Sequence, residues 1–210
     1  MKLFDTLKAL SRPAACVVQV GAHEGQEIEL FRRHGVRRAI LIEPMDDAFA
    51  KLGEAIGDDT RFTPVQALCS SLDGEKVSFF RASNTQASSM LAPERVLVEH
   101  PKIKFEAPVV MTARTLDSLV EELALKLDDF AVEDIDILYM DTQGAELKVL
   151  MGAGRVLHHA KAVWTEVSYD LYRGGATLED MQGFLKPFGF QLNAVSLNAH
   201  AWGNALFLKR

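Results

Sequence analysis

Two acidic residues follow apolar, strand-like runs in the second half of the chain. Asp141 comes directly after Ile135–Met140, and Glu166 lies near the end of Lys161–Val167. Because the carboxyl ends of parallel strands meet at one edge of a sheet, we expect these two side chains to lie close together. Adjacent carboxylates raise the pKa of one of them, as a general base requires, or hold a divalent cation that acidifies a hydroxyl group. A second interpretation is structural: Asp141 caps the next turn and Glu166 is a loop carboxylate.

A glycine loop follows the first predicted strand, Cys16–Val20, and precedes a predicted helix at Gln26–His34. Its Gly-x-x-x-Gly pattern lets the backbone turn tightly and approach a ligand closely. A dinucleotide fingerprint needs glycine at positions 23 and 26, where this chain has His and Gln, so a nicotinamide cofactor is disfavoured. The pattern is instead typical of loops that accept the amino-acid end of S-adenosylmethionine (SAM). The residues expected to contact such a cofactor here are Gln19, Gly21, Ala22, His23 and Gly25.

Glu43 ends the second predicted strand, Ala39–Ile42, and lies 22 residues after Gly21. An acidic residue at this place accepts hydrogen bonds from both ribose hydroxyls of an adenosine, although a solvated loop carboxylate gives the same sequence signal. Together with the glycine loop, it favours a nucleoside ligand. Further cofactor contacts are expected at the ends of neighbouring strands, from Pro44, Ala67, Leu68 and Asp141.

Strand-like and helical segments alternate along the chain, with a third strand expected at Phe62–Leu68. Parallel strands need crossover connections, so this β-α-β-α-β succession predicts an α/β fold with helices on both faces of the sheet. The turn-rich stretch NAHAWGN separates two final runs, Phe190–Leu197 and Ala205–Lys209, which predicts an antiparallel hairpin. The sequence therefore predicts a mostly parallel sheet that ends in a hairpin.

Residues 81–108 interrupt the alternation with weakly periodic, polar sequence. Long loops in compact domains are usually functional or disordered, so we expect an insertion that forms a lid over the site. We treat residues 1–210 as one domain and expect an amphipathic lead-in helix at residues 1–15. His100 and His200 are expected in loops that rim the site.

The composition narrows the class of protein. The 210 residues carry 23 basic and 29 acidic side chains, a net charge of −6, which disfavours a protein that coats nucleic acid. The two cysteines, Cys16 and Cys69, cannot form a disulfide framework and fit a reducing, cytoplasmic location. No apolar run approaches the roughly 18 residues of a membrane span. We therefore expect a soluble enzyme that binds neither nucleic acid nor membrane, and its assembly as a monomer or homodimer is open.

Eight segments occur along the chain in a recognisable order. They are VGAHEGQE, IEP, QALCSSLDGEKVSFF, SSM, TARTLDSL, YMDTQGAELKVLMGA, WTEVSYDLY and GNALFLKR. Together they resemble the FkbM family of SAM-dependent methyltransferases, over the stretch from about Val17 to Leu208. The resemblance implies a Rossmann-like class I methyltransferase fold with a seven-stranded sheet and a bound SAM. It also implies methylation of a hydroxyl group on a sugar or another small molecule, and hence a small-molecule or glycan acceptor.

Two positions depart from the family pattern. Gln19 stands where the family usually has Asp, so its contact with the SAM ammonium group lacks charge attraction, and Met140 stands where the family usually has Lys. These departures motivate an alternative, a methyltransferase-like binding or scaffold protein that has lost its chemistry. A nicotinamide-dependent oxidoreductase is a further alternative, which the glycine spacing disfavours. A divalent metal is left open, and no metal ligands are assigned.

Overall fold

Ten β-strands and seven α-helices make up the part of the chain that this computed structural model describes, residues 14–198 and 202–210. The strands are β1 (Cys16–Val20), β2 (Arg38–Ile42), β3 (Phe62–Val65), β4 (Leu68–Cys69), β5 (Lys76–Phe79), β6 (Val109–Arg114), β7 (Ile135–Met140), β8 (Ala162–Ser168), β9 (Phe190–Leu197) and β10 (Trp202–Lys209). The helices are α1 (Ile28–Arg33), α2 (Asp46–Ile56), α3 (Val96–Glu99), α4 (Leu116–Lys126), α5 (Glu146–Met151), α6 (Gly154–His159) and α7 (Leu178–Leu185).

Seven of these strands form one sheet in the order β3-β2-β1-β7-β8-β10-β9. β1 pairs in parallel with β2 and β7, and β7 pairs in parallel with β8, whereas β10 runs antiparallel between β8 and β9. The predicted α/β fold, a mostly parallel seven-stranded sheet that ends in an antiparallel hairpin, is confirmed. The strand order reverses at β1, so a crevice opens beyond the carboxyl ends of β1 and β7.

Helices cover both faces of the sheet. On one face the helices α4 to α7 contribute buried side chains such as Leu116 and Val149 to the largest hydrophobic cluster, and on the other α1 and α2 contribute Phe31 and Leu52. Every residue of β1 and β7 is buried, as expected for parallel strands that are covered on both faces. This packing fixes the strand ends that carry the candidate site.

A smaller sheet, in the order β4-β6-β5, lies beside the segment 81–108. That segment contains a 3-10 turn at Thr85–Ala87 and helix α3, and a bridge between Pro93 and Tyr172 ties it to the loop after β8. Its Met90, Leu91 and Val96 join a third hydrophobic cluster. The segment is therefore packed against the strand ends rather than extended over the surface.

The prediction of one strand over Phe62–Leu68 is wrong. β3 ends at Val65, whose carbonyl oxygen accepts a hydrogen bond from the Glu43 amide at 3.1 Å. The chain then changes sheets, and Leu68 and Cys69 pair with β6. The Glu43 amide thus makes the last hydrogen bond of this ladder, and β3 ends three residues before the predicted strand does.

The last strand begins earlier than predicted, at Trp202 rather than Ala205. Gly203 and Asn204, which the sequence places in a turn, continue the ladder with β8 and β9. A Cβ atom on Gly203 would lie 1.9 Å from the Ser196 carbonyl oxygen, so glycine serves close strand approach here. Trp202 therefore lies on the sheet and not in a loop.

The predicted lead-in helix at residues 1–15 falls mostly outside the described residues, and so does His200. Ala14 and Ala15, which are described, are buried and not helical, and the Ala15 amide donates to Asp136 Oδ2 at 2.6 Å. Across residues 14–198 and 202–210, no helix combines the length and the apolar character needed to cross a membrane.

Candidate active site

A cavity of about 330 Å³ lies beyond the carboxyl ends of β1, β2 and β7. This volume is at the lower end of the range of typical ligand pockets. Eight of the residues predicted to bind the cofactor line it, from four different strand ends. They are Gln19, Gly21, His23, Glu43, Pro44, Ala67, Leu68 and Asp141.

Ala22 and Gly25 do not line the cavity, although the sequence places them in the same loop. Ala22 is fully buried in the cluster around α1, and a Cβ on Gly25 would lie 2.5 Å from Ile28 Cδ1. The two residues pack the loop onto the helix behind it. They therefore shape the loop from behind the cavity.

Gly21 sets the shape of the loop. Its φ angle is +83°, and a Cβ atom there would lie 1.9 Å from the carbonyl oxygen of Asp141. Only glycine combines this left-handed conformation with so close an approach. The ends of β1 and β7 consequently lie in direct contact at the floor of the cavity.

Glu43 is held rigidly at the end of β2. Its Oε2 accepts from the His23 amide at 2.8 Å and its Oε1 accepts from the Met45 amide at 2.9 Å, with only 3% of the residue exposed. Burial raises the pKa of its carboxyl group to about 7, in spite of the two amide donors that lower it. Each carboxylate oxygen keeps a lone pair for a further donor, so the group is suited to receive two hydroxyls.

Gln19 and Glu27 form a hydrogen-bonded unit at the end of β1. Gln19 Nε2 donates to Glu27 Oε2 at 3.0 Å, and the Tyr139 hydroxyl lies 3.4 Å from Glu27 Oε1. Gln19 is 1% exposed, and its Oε1 has no hydrogen-bond partner among the described residues. Both Gln19 and Glu27 line the cavity.

Gln143 brings the predicted catalytic pair together. Its Nε2 donates to Asp141 Oδ1 at 2.7 Å and to Glu166 Oε2 at 2.9 Å. Glu166 Oε1 also accepts from the indole Nε1 of Trp202. The expectation that Asp141 and Glu166 lie close together therefore has a specific geometry, with one amide nitrogen between two carboxyl groups.

Burial raises the pKa values of the carboxyl groups in this region. The pKa of Asp141 rises to about 6, because burial outweighs the hydrogen bond from Gln143. The pKa of Glu166 rises well above its usual value because of burial first and the neighbouring charges of Asp141 and Glu146 second. Glu146 accepts from the amides of Thr142 and Gly144, at 2.8 Å and 3.3 Å, and burial raises its pKa to about 7. Glu146 thus stabilises the loop that carries Gln143.

The segment 81–108 contacts the glycine loop directly. His23 Nε2 lies 2.8 Å from Thr85 Oγ1, and Gln26 Nε2 lies 2.8 Å from His23 Nδ1. The Tyr172 hydroxyl donates to the Ala87 carbonyl oxygen at 2.7 Å. Six residues between Asn84 and Met90 line the cavity, and so does His100. The segment 81–108 therefore closes one side of the cavity.

A second, more open cavity of about 400 Å³ shares Asp141 and Trp202 with the first. Glu166, Asn198 and Asn204 also line it. Trp202 lies edge-on to His100 at a centroid distance of 6.2 Å. Glu166, which does not line the first cavity, is therefore reached from the second one.

The lining of the first cavity, beyond the ends of β1, β2 and β7, is acidic. Among its described lining residues are the acids Glu27, Glu43 and Asp141, and none of them is Lys or Arg. The described residues also include no cluster of three or more His, Cys, Asp or Glu side chains placed to hold a metal ion. A positively charged ligand is electrostatically complementary to this acidic lining.

Three residues that the structure brings to the candidate site were not identified from the sequence: Glu27, Gln143 and Trp202. Gln143 lies in the distinctive segment after β7, so its place beside Asp141 offered a signal. No local sequence signal marks Glu27 or Trp202. The contact of Glu27 depends on how the helix after the glycine loop packs, and the contact of Trp202 depends on the register of β10. In the loop after β8, Tyr169 and Arg173 bind Glu179 and Glu94 outside the cavity, whereas Tyr172 lines it.

The chain is similar to known methyltransferases. The sequence model of one family, described as the methyltransferase FkbM domain, matches residues 19–192. The 2-O-methyltransferase NoeI of Sinorhizobium fredii is 25% identical over 188 residues, which cover 85% of this chain and 74% of NoeI.

Solved structures agree on the fold. Magnesium protoporphyrin IX methyltransferase (ChlM) from Synechocystis, solved with bound SAM, has a TM-score of 0.53 at 9% identity, over 99% of this chain and 76% of that one. TrmK of M. capricolum, in complex with S-adenosylhomocysteine, has a TM-score of 0.52 at 7% identity, over 100% of this chain and 69% of that one. At these identities the likeness establishes the Rossmann-like methyltransferase fold alone.

Proposed function

Because the chain belongs to the FkbM family of SAM-dependent methyltransferases, we propose that it transfers the methyl group of SAM to a hydroxyl group of a small molecule or glycan. The observation that carries this proposal is a cavity at the strand-order reversal with three acids and no Lys or Arg among its described lining residues. SAM bears a sulfonium and an ammonium group against one carboxylate, so its net charge complements that lining. The NoeI relative, named as a 2-O-methyltransferase, supports a hydroxyl acceptor.

The residues present fit SAM at both of its ends. Glu43, fixed by two amide donors, is placed to accept the ribose hydroxyls, with Pro44, Ala67 and Leu68 beside it. Gln19 Oε1, buried and without a partner among the described residues, is placed to accept from the ammonium group. We expect Gly21 and His23, which also line the cavity, to contact the part of SAM between these two ends.

Bound SAM supplies a methyl group that is already activated by the sulfonium, so the protein mainly aligns the acceptor for an in-line displacement. The acceptor hydroxyl loses a proton as its oxygen bonds to the methyl carbon. We assign Asp141 to receive that proton or to orient the hydroxyl, because it lines both cavities. Glu166 and Gln143 hold the Asp141 carboxylate in place through the shared amide.

The lid assignment belongs to the same proposal. We treat the chain as one domain in which residues 81–108 close over the acceptor, since this segment lines one side of the cavity. Met140, the second departure from the family pattern, is fully buried in the largest hydrophobic cluster and carries no charge. We therefore assign acceptor positioning to the Asp141–Gln143–Glu166 unit. The buried, unpaired thiols of Cys16 and Cys69 fit a reducing compartment such as the cytoplasm.

The proposal predicts that the protein binds SAM and methylates a hydroxyl compound. Titration calorimetry should detect SAM binding, with NAD⁺ as a control ligand that does not bind, because the glycine spacing lacks the dinucleotide fingerprint. Labelled methyl transfer should then appear with at least one member of a panel of sugars and other hydroxylated small molecules. No SAM binding at millimolar concentration would contradict the proposal, and binding without any transfer would favour the scaffold alternative.

A further inference from the structure

We propose that Glu27 supplies the negative charge that pairs with the ammonium group of SAM, and that Gln19 positions this charge. The inference rests on the proposed function, because it concerns the way in which this chain holds that cofactor. It assigns a role to a carboxylate that neither the glycine-loop pattern nor the pair at Asp141 uses.

The first observation is the direction of the hydrogen bond between the two side chains. An ionised carboxylate only accepts hydrogen bonds, so the Gln19 amide must turn its Nε2 toward Glu27 Oε2, at 3.0 Å. This orientation leaves Gln19 Oε1 as a buried acceptor without a partner among the described residues. A buried acceptor without a donor costs free energy, so a ligand donor is expected at this position.

The second observation is that Glu27 is held in place. Its Oε1 lies 3.4 Å from the Tyr139 hydroxyl. The Tyr139 ring stacks on Trp164, with centroids 4.4 Å apart and an angle of 16° between the planes. Both rings are nearly fully buried. Glu27 is therefore placed beside the cavity by rigid neighbours, as a binding group requires.

The third observation is the order of the strand ends. Glu43, assigned to the ribose, ends β2, and the next strand is β1, with Gln19 and Glu27 beside it. The part of SAM beyond the ribose, which carries the sulfonium and the ammonium, therefore extends toward β1 and β7. Asp141 is engaged by Gln143 on the acceptor side. Glu27 is the remaining carboxylate among the described lining residues.

The arrangement also accounts for Gln19 in place of the family's Asp. A carboxylate at position 19 would lie close to Glu27, and the repulsion between two such charges would raise the pKa of one group. The amide avoids this repulsion, because it donates to Glu27 and presents its oxygen to the ligand. The negative charge that the family has at position 19 is thus carried here by Glu27, one hydrogen bond away from Gln19.

The test compares two ligands in calorimetric titrations of the full chain. SAM carries the ammonium group, whereas 5′-methylthioadenosine has the nucleoside and lacks the amino-acid part. Glu27→Gln should weaken SAM binding about 10-fold or more and leave methylthioadenosine binding unchanged, because a charge-assisted hydrogen bond becomes a neutral one. Glu24→Gln is the matched control, since Glu24 lies in the same loop, pairs with Lys51 outside the cavity and should leave SAM affinity unchanged.

A rescue variant distinguishes charge from local structure. Gln19→Asp combined with Glu27→Gln returns one carboxylate to the unit and should recover most of the lost SAM affinity. The inference is overturned if Glu27→Gln leaves SAM affinity intact, if it weakens both ligands equally, or if the double variant gives no recovery. Failure of the wild-type protein to bind SAM would instead overturn the proposed function together with this inference.

Discussion

Gln143 has a backbone conformation that is unusual for any residue other than glycine. Its φ angle is +55°, in the left-handed region that favours glycine, and such a conformation costs free energy. Its amide nitrogen donates to Asp141 and Glu166, and its Oε1 lies 3.2 Å from the Tyr172 hydroxyl. Glycine would relieve the strain but lose all three contacts. The strained backbone therefore places an amide between two carboxyl groups.

Asp141→Asn tests the role of this unit in proton removal. The variant keeps an oxygen for Gln143 but removes the base, so kcat should fall about 100-fold or more while the Kd for SAM stays within about threefold. The acid limb of the wild-type pH profile, expected near pH 6 from the raised pKa of Asp141, should disappear. Steady-state assays across pH 5–8 with an acceptor from the panel measure both effects.

Asp58→Asn, at an exposed position after α2, is the matched control and should behave as wild type. Full activity of Asp141→Asn would remove Asp141 as the base. A loss of SAM affinity as large as the loss of kcat would instead assign Asp141 to cofactor binding.

At the scale of elements, the approach of β1 to β7 is the contact on which the cavity floor depends. Gly21 occupies that contact, and any Cβ atom would collide with the Asp141 backbone. The glycine also lets the loop continue to His23, which reaches Thr85 in the segment 81–108. The glycine loop and the segment 81–108 are thus joined by a hydrogen bond of His23, whose own φ angle is +47°.

Gly21→Ala should lower the free energy of unfolding by about 2 kcal/mol or more, because it adds both steric overlap and a strained φ angle. Gly53→Ala is the matched control: this glycine lies in α2 with nothing within 4 Å of the added Cβ. There the substitution should stabilise the protein by about 0.5–1 kcal/mol through helix propensity. Urea unfolding of both variants measures the difference, and equal stabilities would show that the loop relaxes without cost.

At the scale of the whole molecule, the carboxyl groups with raised pKa values are concentrated at one end of the sheet. Glu43 and Glu146 have pKa values of about 7 and Asp141 of about 6, in each case chiefly because of burial. The carboxyl groups with lowered pKa values, such as Asp47 and Asp73 at about 2, instead lie in exposed ion pairs and hydrogen bonds. Ionisation of these carboxyl groups is therefore unfavourable in the ligand-free protein, and a cationic ligand offsets this free-energy cost.

This distribution predicts that the ligand-free protein loses stability as the pH rises from about 5 to 8. A carboxyl group with a raised folded-state pKa stabilises the fold below its unfolded value, near 4, and that contribution is lost as the pH rises through 6 to 7. His23, whose pKa burial lowers, opposes the trend as a single group. The carboxyl groups with lowered pKa values, such as Asp47 and Asp73, act only below about pH 5.

Thermal unfolding at pH 5–8 checks this expectation, with a fall in Tm of at least about 3 °C toward pH 8. Glu43→Gln should flatten the dependence, because it removes one of the raised groups. SAM should increase Tm more at pH 7.5 than at pH 5, since it binds the ionised carboxylates. A Tm that rises steadily with pH would contradict the prediction.

The sequence by itself determined the element order and the strand ends. Buried β-branched runs such as Ile135–Met140 and the helices between them predict a parallel sheet, and a parallel sheet brings its carboxyl ends to one edge. Glu43, Asp141 and the glycine loop could therefore be assigned to one site from local patterns alone. The strand break after Val65 was missed, because backbone pairing with a distant strand decides it and the apolar pattern does not.

Only the tertiary structure decided which side chains meet. Gln143 and Glu166 are 23 residues apart, Trp202 and Glu166 are 36 apart, and Tyr139 and Glu27 are 112 apart. Such contacts depend on strand register and on the seating of helices, which residue type and spacing do not encode locally. Burial likewise depends on the packed surroundings, and it is burial that raises the pKa values of these carboxyl groups. The chain's local pattern therefore placed the acids at one edge of the sheet, and packing determined their partners and their charge.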